Sequence, residues 1–228
     1  MNHALAWGRD IQAVMFDMDG TLVDSEHLTD LAVERTLAQY GIDIEVDTTI
    51  FHGVTWRRIA SILRSMAPAL DDVPLEAELQ TLFHDGLLTT DPAPIPGARA
   101  TVMAAAARVP AAITSSSDRA SVDHVVARLD LAAHLQTIVC AQDIERSKPD
   151  PQIYELAAVR LGIPAKHGLV FEDAIAGLQA ARAAGMRTIA IARDRTGSER
   201  EALQALADVT IADFTELPAG FLASLGGS

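Results

Sequence analysis

Two aspartates one residue apart, Asp17 and Asp19, stand in the run Asp17-Met18-Asp19-Gly20-Thr21. Three further groups of reactive side chains follow along the chain: Ser115-Ser116-Ser117, Lys148-Pro149 and Glu172-Asp173. Carboxylates without a His or Cys cluster are hard oxygen ligands, and they suit Mg²⁺ shared with waters and phosphate oxygens. A carboxylate can also attack phosphorus or move protons as a general acid and base. A hydroxyl and a lysine can hold an anion and balance charge that builds up during group transfer. Each group has an ordinary structural reading as well. Asp17 suits a turn, the serines a helix cap, Lys148-Pro149 a solvated loop, and Glu172-Asp173 the first turn of a helix. Their conjunction, in this order, is what those separate readings leave unexplained.

The elements that would position these groups can be read from periodicity. Ile11–Phe16 is a short apolar run suited to a buried strand, and it ends abruptly at Asp17. From Ser25 to Tyr40, Leu28, Leu31, Ala32, Leu37 and Ala38 recur at helical spacing, with Gly41 at the expected stop. Two more helical patterns, near Trp56–Met66 and Leu75–Leu87, complete a stretch with no convincing strand. The Pro/Gly-dense run from Asp91 to Gly97 then marks a linker. Beyond it strands and helices alternate: strands at Ala111–Thr114, Thr137–Val139, Gly168–Phe171, Thr188–Ile191 and Val209–Ile211. Such alternation implies an α/β fold, a Rossmann-like parallel sheet covered by helices on both faces. The small all-helical segment is inserted after the first strand. We expect a core of residues 1–23 and 95–228 and a helical cap of residues 24–94. Open parallel sheets bind ligands beyond the carboxyl ends of their strands, and all four reactive groups fall there.

Composition narrows the function. With 18 Lys+Arg against 31 Asp+Glu, the net charge of the 228-residue chain is −13, which disfavours nucleic acid as a partner. The same charge should repel small anions unless a local device reverses the field. A hydrophobic fraction of 49% supports a sizeable core and excludes global disorder. The single cysteine, Cys140, argues against a disulfide scaffold and reads as a buried strand-end residue. No apolar run approaches the length of a membrane helix, and Met1–Asp10 lacks signal-peptide features, so a cytoplasmic location is expected.

Over nearly its whole length the chain resembles the haloacid dehalogenase superfamily of phosphohydrolases, in the branch with a helical cap after the first motif. Four segments carry the resemblance: Asp17–Glu26, Ile113-Thr114-Ser115, Ser147–Pro151 and Phe171–Gly177. The resemblance implies an aspartyl-phosphate intermediate, with Asp17 as nucleophile and Asp19 as the acid and base serving the leaving alcohol and the hydrolytic water. It places Mg²⁺ on the Asp17 carboxylate, the Asp19 backbone carbonyl and Asp173, with Glu172 helping directly or through water. Ser115 and the Ser116 amide would hold phosphate oxygens at a helix end, Lys148 would balance Asp17 and the phosphoryl group, and Thr21 would steady the loop. Gly177 reads as a small residue that lets a helix pack closely on the sheet. Four carboxylates against one lysine and a divalent cation leave the site near neutral, so the acidity implies a metal-dependent rather than an excluded anion.

The resemblance lies nearest to β-phosphoglucomutase and 6-phosphogluconate phosphatase types. The mutase carries a cap histidine where this chain has Thr29, with His27 two places early, and an arginine displaced here to Arg57. Those departures favour a phosphatase over a mutase, and Asp19 with Glu172-Asp173 speaks against dehalogenation. A non-catalytic phospho-ligand-binding regulator on the same scaffold is the alternative from another class. The cap segment around Gly53-Val54 nominates His52, Thr55, Trp56, Arg57 and Arg58 as substrate contacts, with Arg119 from the core side. The expected partner is a small phosphorylated metabolite, a sugar phosphate or sugar acid phosphate, bound by a monomer or homodimer.

Overall fold

The computed structural model describes residues 8–193 and 195–227, so residues 1–7 of the Met1–Asp10 stretch lie outside the described residues. Strand β1 (Ala13–Phe16) is buried at every position. It starts two residues later than the apolar run suggests, because Ile11 precedes the first paired residue. β1 pairs on one side with β2 (Ala111–Thr114) and on the other with β4 (Gly168–Glu172). β3 (Thr137–Val139), β5 (Arg187–Ile191) and β6 (Val209–Ile211) complete a wholly parallel sheet of order β3-β2-β1-β4-β5-β6.

Strand side chains alternate between two faces. Val14, Phe16, Ile113 and Phe171 join one apolar cluster, whereas Ala13, Met15, Ala112 and Val170 join the other. The helical insert between β1 and β2 contains α1 (Glu26–Gln39), α2 (Trp56–Met66) and α3 (Leu75–Thr90). α3 runs three residues past the expected Leu87 and stops where Asp91 turns left-handed, φ 49°. The core continues through α4 (Ala98–Ala106), α5 (Arg119–Arg128), α6 (Gln152–Leu161), α7 (Ile175–Ala183) and α8 (Gly197–Leu206). It ends with a one-turn α9 (Phe221–Ser224), too short to leave a periodic signal in the sequence.

Leu28, Val33, Trp56, Ile59, Phe83 and Leu87 of the insert belong to the same continuous apolar cluster as the sheet residues. The two connectors between insert and core run side by side. Asp24 N–H donates to Ala93 at 3.0 Å, Ile95 N–H to Leu22 at 2.9 Å, and Val23 bridges Pro94. Among the described residues no helix is long and apolar enough to cross a membrane.

Candidate active site

Asp17 follows β1 directly, and its N–H donates to the Phe171 carbonyl at 3.0 Å, extending the sheet by one bond. Its buried carboxylate accepts from Lys148 Nζ at 2.6 Å. Lys148 also donates to Glu172 Oε1 at 2.5 Å and lies 5.3 Å from the centre of the Tyr154 ring. Burial opposes the charge on Lys148, but Asp17 and Glu172 outweigh it and raise its pKa well above the ordinary lysine value. The ammonium is therefore fixed in place.

Glu172 is the last residue of β4 rather than the first beyond it. Its two oxygens are fully engaged: Oε1 by Lys148 and by Tyr154 OH at 3.1 Å, Oε2 by the Ala174 N–H at 2.8 Å. That engagement makes it a holder of Lys148 as well as a candidate metal ligand. Gly177 answers to the same carboxylate. A Cβ there would sit 1.6 Å from Glu172 Oε1, so the glycine makes room for a charged group rather than only for close helix–sheet packing.

Asp173 accepts from Thr21 Oγ1 at 3.0 Å through Oδ1, while its buried Oδ2 has no hydrogen-bond donor. Gly20, at φ 75°, passes so close that a Cβ would lie 2.1 Å from that oxygen. Burial and the neighbouring carboxylates of Glu26, Glu172 and Asp17 push the Asp173 pKa well up. Oxygens of Asp17, Glu172 and Asp173 lie within 4.8 Å of one another. A buried, partly unsatisfied carboxylate triad fits a divalent cation, whose charge reverses that pKa logic.

Asp19 turns its carboxylate the other way. Oδ1 accepts from Ser25 at 2.6 Å, and Oδ2 accepts from Ser117 at 2.7 Å and Ser115 at 3.4 Å. Its carboxylate is not among the oxygens gathered with Asp17, Glu172 and Asp173. Burial raises the Asp19 pKa against the pull of Ser25 and Ser117. The helix end behind Ser115 differs from expectation. Asp118, not a serine, caps α5 by accepting from the Ser121 N–H at 3.0 Å, and its charge weakens that end as an anion site. Ser115 instead accepts from the Ser117 N–H at 3.0 Å.

The cap residues divide. Trp56 and Thr29 line a cavity of about 30 Å³ together with Asp17, Asp19, Gly53 and Ser116. The Trp56 ring packs on Phe83 at 5.1 Å, and its buried Nε1 has no partner. Ser116 donates to the Gly53 carbonyl at 2.9 Å, joining core to cap. Thr55 caps α2 and its N–H reaches Ser147 Oγ at 2.9 Å. Arg57 departs from its expected place: its Nη2 is spent on the Ile144 and Glu145 carbonyls at 3.2 and 2.8 Å. Arg119 lies out on α5, pairing with Asp123 at 2.8 Å, because its position one turn ahead on the exposed face favours that i,i+4 pair. Cys140 is buried at the end of β3, as expected.

His52 is held between Glu26 at 2.8 Å and Asp30 at 3.1 Å. Burial disfavours its charge, but Asp30 and Glu26 win and push its pKa up to about 9. It lines a separate cavity of about 290 Å³ with Asp173, Ile175, Gln179 and Arg195. Arg195 is a residue that sequence reasoning missed. It follows β5, and it ion-pairs with Glu26 and lies 3.5 Å from Asp173 Oδ2. Inspecting the residues after every strand end, including β5, would have found it.

Comparison with known proteins agrees with this geometry. The chain is 32% identical over 179 residues to the fructose-1-phosphate phosphatase YqaB of Escherichia coli K12, covering 77% of this chain and 94% of that protein. It is 29% identical over 217 residues to hexitol phosphatase B of the same organism, covering 92% and 96%. Its fold matches β-phosphoglucomutase from Clostridium difficile with a TM-score of 0.78 at 20% identity, covering 93% and 96%. The profile of the haloacid dehalogenase-like hydrolases matches residues 14–191, and the chain belongs to that family.

Proposed function

We propose that the protein is a Mg²⁺-dependent phosphatase acting on a small phosphorylated sugar or sugar-derived metabolite. The observation that carries this reading is the Lys148 ammonium clamped between Asp17 and Glu172, with the unpartnered Asp173 oxygen beside the same cluster. Residues 24–94 form the cap that selects the substrate, and residues 1–23 and 95–228 carry the chemistry. The two bacterial relatives are named for phosphorylated sugar and hexitol substrates, which supports the substrate class.

In this mechanism the Asp17 carboxylate attacks phosphorus and the ester P–O bond breaks, leaving an aspartyl-phosphate. Asp19 gives its proton to the departing alkoxide. It then takes a proton from the water that attacks the aspartyl-phosphate, and so returns to its starting state as phosphate leaves. Burial raises the Asp19 pKa, as an acid working near neutral pH requires. Lys148 keeps Asp17 in position and balances the phosphoryl charge. Asp17, Asp173 and the Asp19 carbonyl would hold Mg²⁺, which supplies the positive charge that offsets this acidic cluster.

Thr29 separates this reading from a phosphomutase. The cavity beside Asp17 is lined by Thr29, which can neither donate nor accept a proton near pH 7, while His27 is exposed on the solvent side of α1. The test is release of inorganic phosphate from p-nitrophenyl phosphate and from hexose and hexitol phosphates, with and without Mg²⁺. Turnover that needs Mg²⁺ and disappears in a folded Asp17→Asn variant is expected. Turnover surviving in that variant would remove Asp17 as nucleophile, and no turnover in the folded, Mg²⁺-loaded wild type would favour a binding protein.

A further inference from the structure

The two oxygens of Asp173 are treated unequally. Oδ1 accepts from Thr21, but buried Oδ2 has no hydrogen-bond donor and only an ion pair at 3.5 Å to Arg195 Nη2. The same Nη2 hydrogen-bonds Glu26 Oε2, and Nη1 lies 3.8 Å from Glu199. Glu26 is the first residue of α1 and itself ion-pairs His52 at 2.8 Å. Arg195 is thus shared, held closely by Glu26 and loosely by Asp173. Its side chain is 17% exposed, so water and salt screen these charges only partly.

A guanidinium and a divalent cation cannot both press on one carboxylate oxygen without strong repulsion. A buried carboxylate with no cation at all is costly in turn. We propose that Arg195 is the counter-ion that the divalent metal displaces from Asp173. Glu26 is then a positioning residue: by drawing Arg195 toward itself it leaves Asp173 Oδ2 free to bind the metal. This rests on the reading of Asp173 as a metal ligand, and it extends that reading to two residues on the far side of the carboxylate.

The two residues should act on metal affinity in opposite directions. Without Arg195 the competitor is gone and metal binds more tightly. Without the Glu26 charge, Arg195 settles on Asp173 and metal binds more weakly. The dependence of the second effect on the first separates a relay through Arg195 from a simple through-space attraction of the cation to Glu26.

The experiment is calorimetric titration of the full chain with MgCl₂ and with MnCl₂, substrate absent, for wild type, Arg195→Gln, Glu26→Gln and the double variant. Arg195→Gln is expected to bind about tenfold more tightly and Glu26→Gln about threefold more weakly. The double variant should match Arg195→Gln, and Arg195→Lys should lie near wild type. If wild type binds metal and Arg195→Gln binds no more tightly, the counter-ion is refuted. If Glu26→Gln weakens binding equally in both backgrounds, the relay is refuted. A wild type that binds neither ion overturns the metal reading itself, and the proposal with it. Should Arg195→Gln fail to fold, Arg195→Met, alone and with Glu26→Gln, takes its place with the same outcomes.

Discussion

Replacing Gly177 by alanine adds one methyl group, yet the structure says it should disable the site. The new Cβ would lie 1.6 Å from Glu172 Oε1 and 2.0 Å from its carboxyl carbon. Reaching an ordinary contact of about 3.4 Å requires about 1.8 Å of movement, by α7 or by Glu172. Neither moves freely: Glu172 is tied to Lys148, Tyr154 and the Ala174 N–H, and α7 is packed on the sheet through Leu178, Ala180 and Ala181. Overpacking costs about 1–3 kcal/mol. Losing a charge-assisted bond to Lys148 adds about 1.5–3 kcal/mol. The expected loss is about 3–5 kcal/mol, or roughly 10 °C in Tm for a chain of this size.

Urea unfolding and p-nitrophenyl phosphate turnover would be measured side by side, with Gly86→Ala as the reference substitution. At Gly86 the added Cβ meets only the Leu28 side chain, at 3.1 Å or more, which a shift of a few tenths of an ångström relieves, within a helix that gains from alanine. That variant should change by less than about 1 kcal/mol. A Gly177→Ala protein with wild-type stability and turnover would refute the claim that this glycine makes room for the carboxylate. A protein destabilised but fully active would show that Glu172 is not needed to hold Lys148.

The His52 cluster gives a pH signature. The His52 pKa is raised to about 9, so its contribution is complete below about 6.5 and fades as pH rises through 9. The Glu26 pKa, which burial would raise, is instead lowered to about 2 by His52 and Arg195, so its contribution is lost as pH falls from 4.5 toward 2. His52→Gln should therefore cost most between pH 4.5 and 6.5, about 2–3 kcal/mol, with the gap closing by pH 9.5 in denaturant titrations. A gap independent of pH would mean that packing, not charge, is lost. Trp56→Phe keeps a ring against Phe83 and removes a buried N–H with no partner, so its stability should stay within about 1 kcal/mol of wild type. If Nε1 serves a substrate hydroxyl, kcat/KM for a hexitol phosphate falls about tenfold while that for p-nitrophenyl phosphate is kept. Equal losses on both substrates would assign Trp56 to packing alone.

What the sequence revealed follows the reach of local patterns. Alternating strands and helices are readable because a buried strand or helix face imposes a period on its own residues, and Trp56–Met66 begins and ends where its pattern does. Asp17, Lys148 and Asp173 were findable because each stands next to a strand end or in a distinctive short run. The seam contact of Arg57 was not legible, because the period of α2 says which face is apolar but not that the polar face meets the Ile144 and Glu145 carbonyls. Asp118 was overlooked beside three serines, although an Asp directly before a helical pattern is a strong cap signal. Arg195 has no motif at all. The strand-end rule would nominate it as a residue after β5, but its pairing with Asp173 arises because β5 lies next to β4, a tertiary fact that no local pattern encodes.

The seam between cap and core also explains how one site can be both protected and accessible. A cavity of about 30 Å³ is far smaller than the roughly 300 Å³ of a pocket for a small metabolite, so the proposed reaction requires the cap to lift for substrate to reach Asp17. The contacts that resist lifting include Ser116 to Gly53 at 2.9 Å, Thr55 to Ser147 at 2.9 Å, Arg57 to Glu145 at 2.8 Å, His84 to Ser121 at 3.2 Å and the Arg195–Glu26 ion pair. Together with the apolar cluster that insert and sheet share, they favour the closed form. Ser116 serves on both sides of this seam: its hydroxyl latches the cap through the Gly53 carbonyl, while its amide is the group assigned to the phosphate. Opening therefore exposes the site and adds the freed Ser116 hydroxyl to it in one event. A ligand that takes Ser116 must replace the lost latch with its own contacts to the cap before the cap can close over it. Trp56 and Thr29, which line the cavity beside Asp17, are the cap side chains placed to make such contacts with the alcohol part of a phosphate ester.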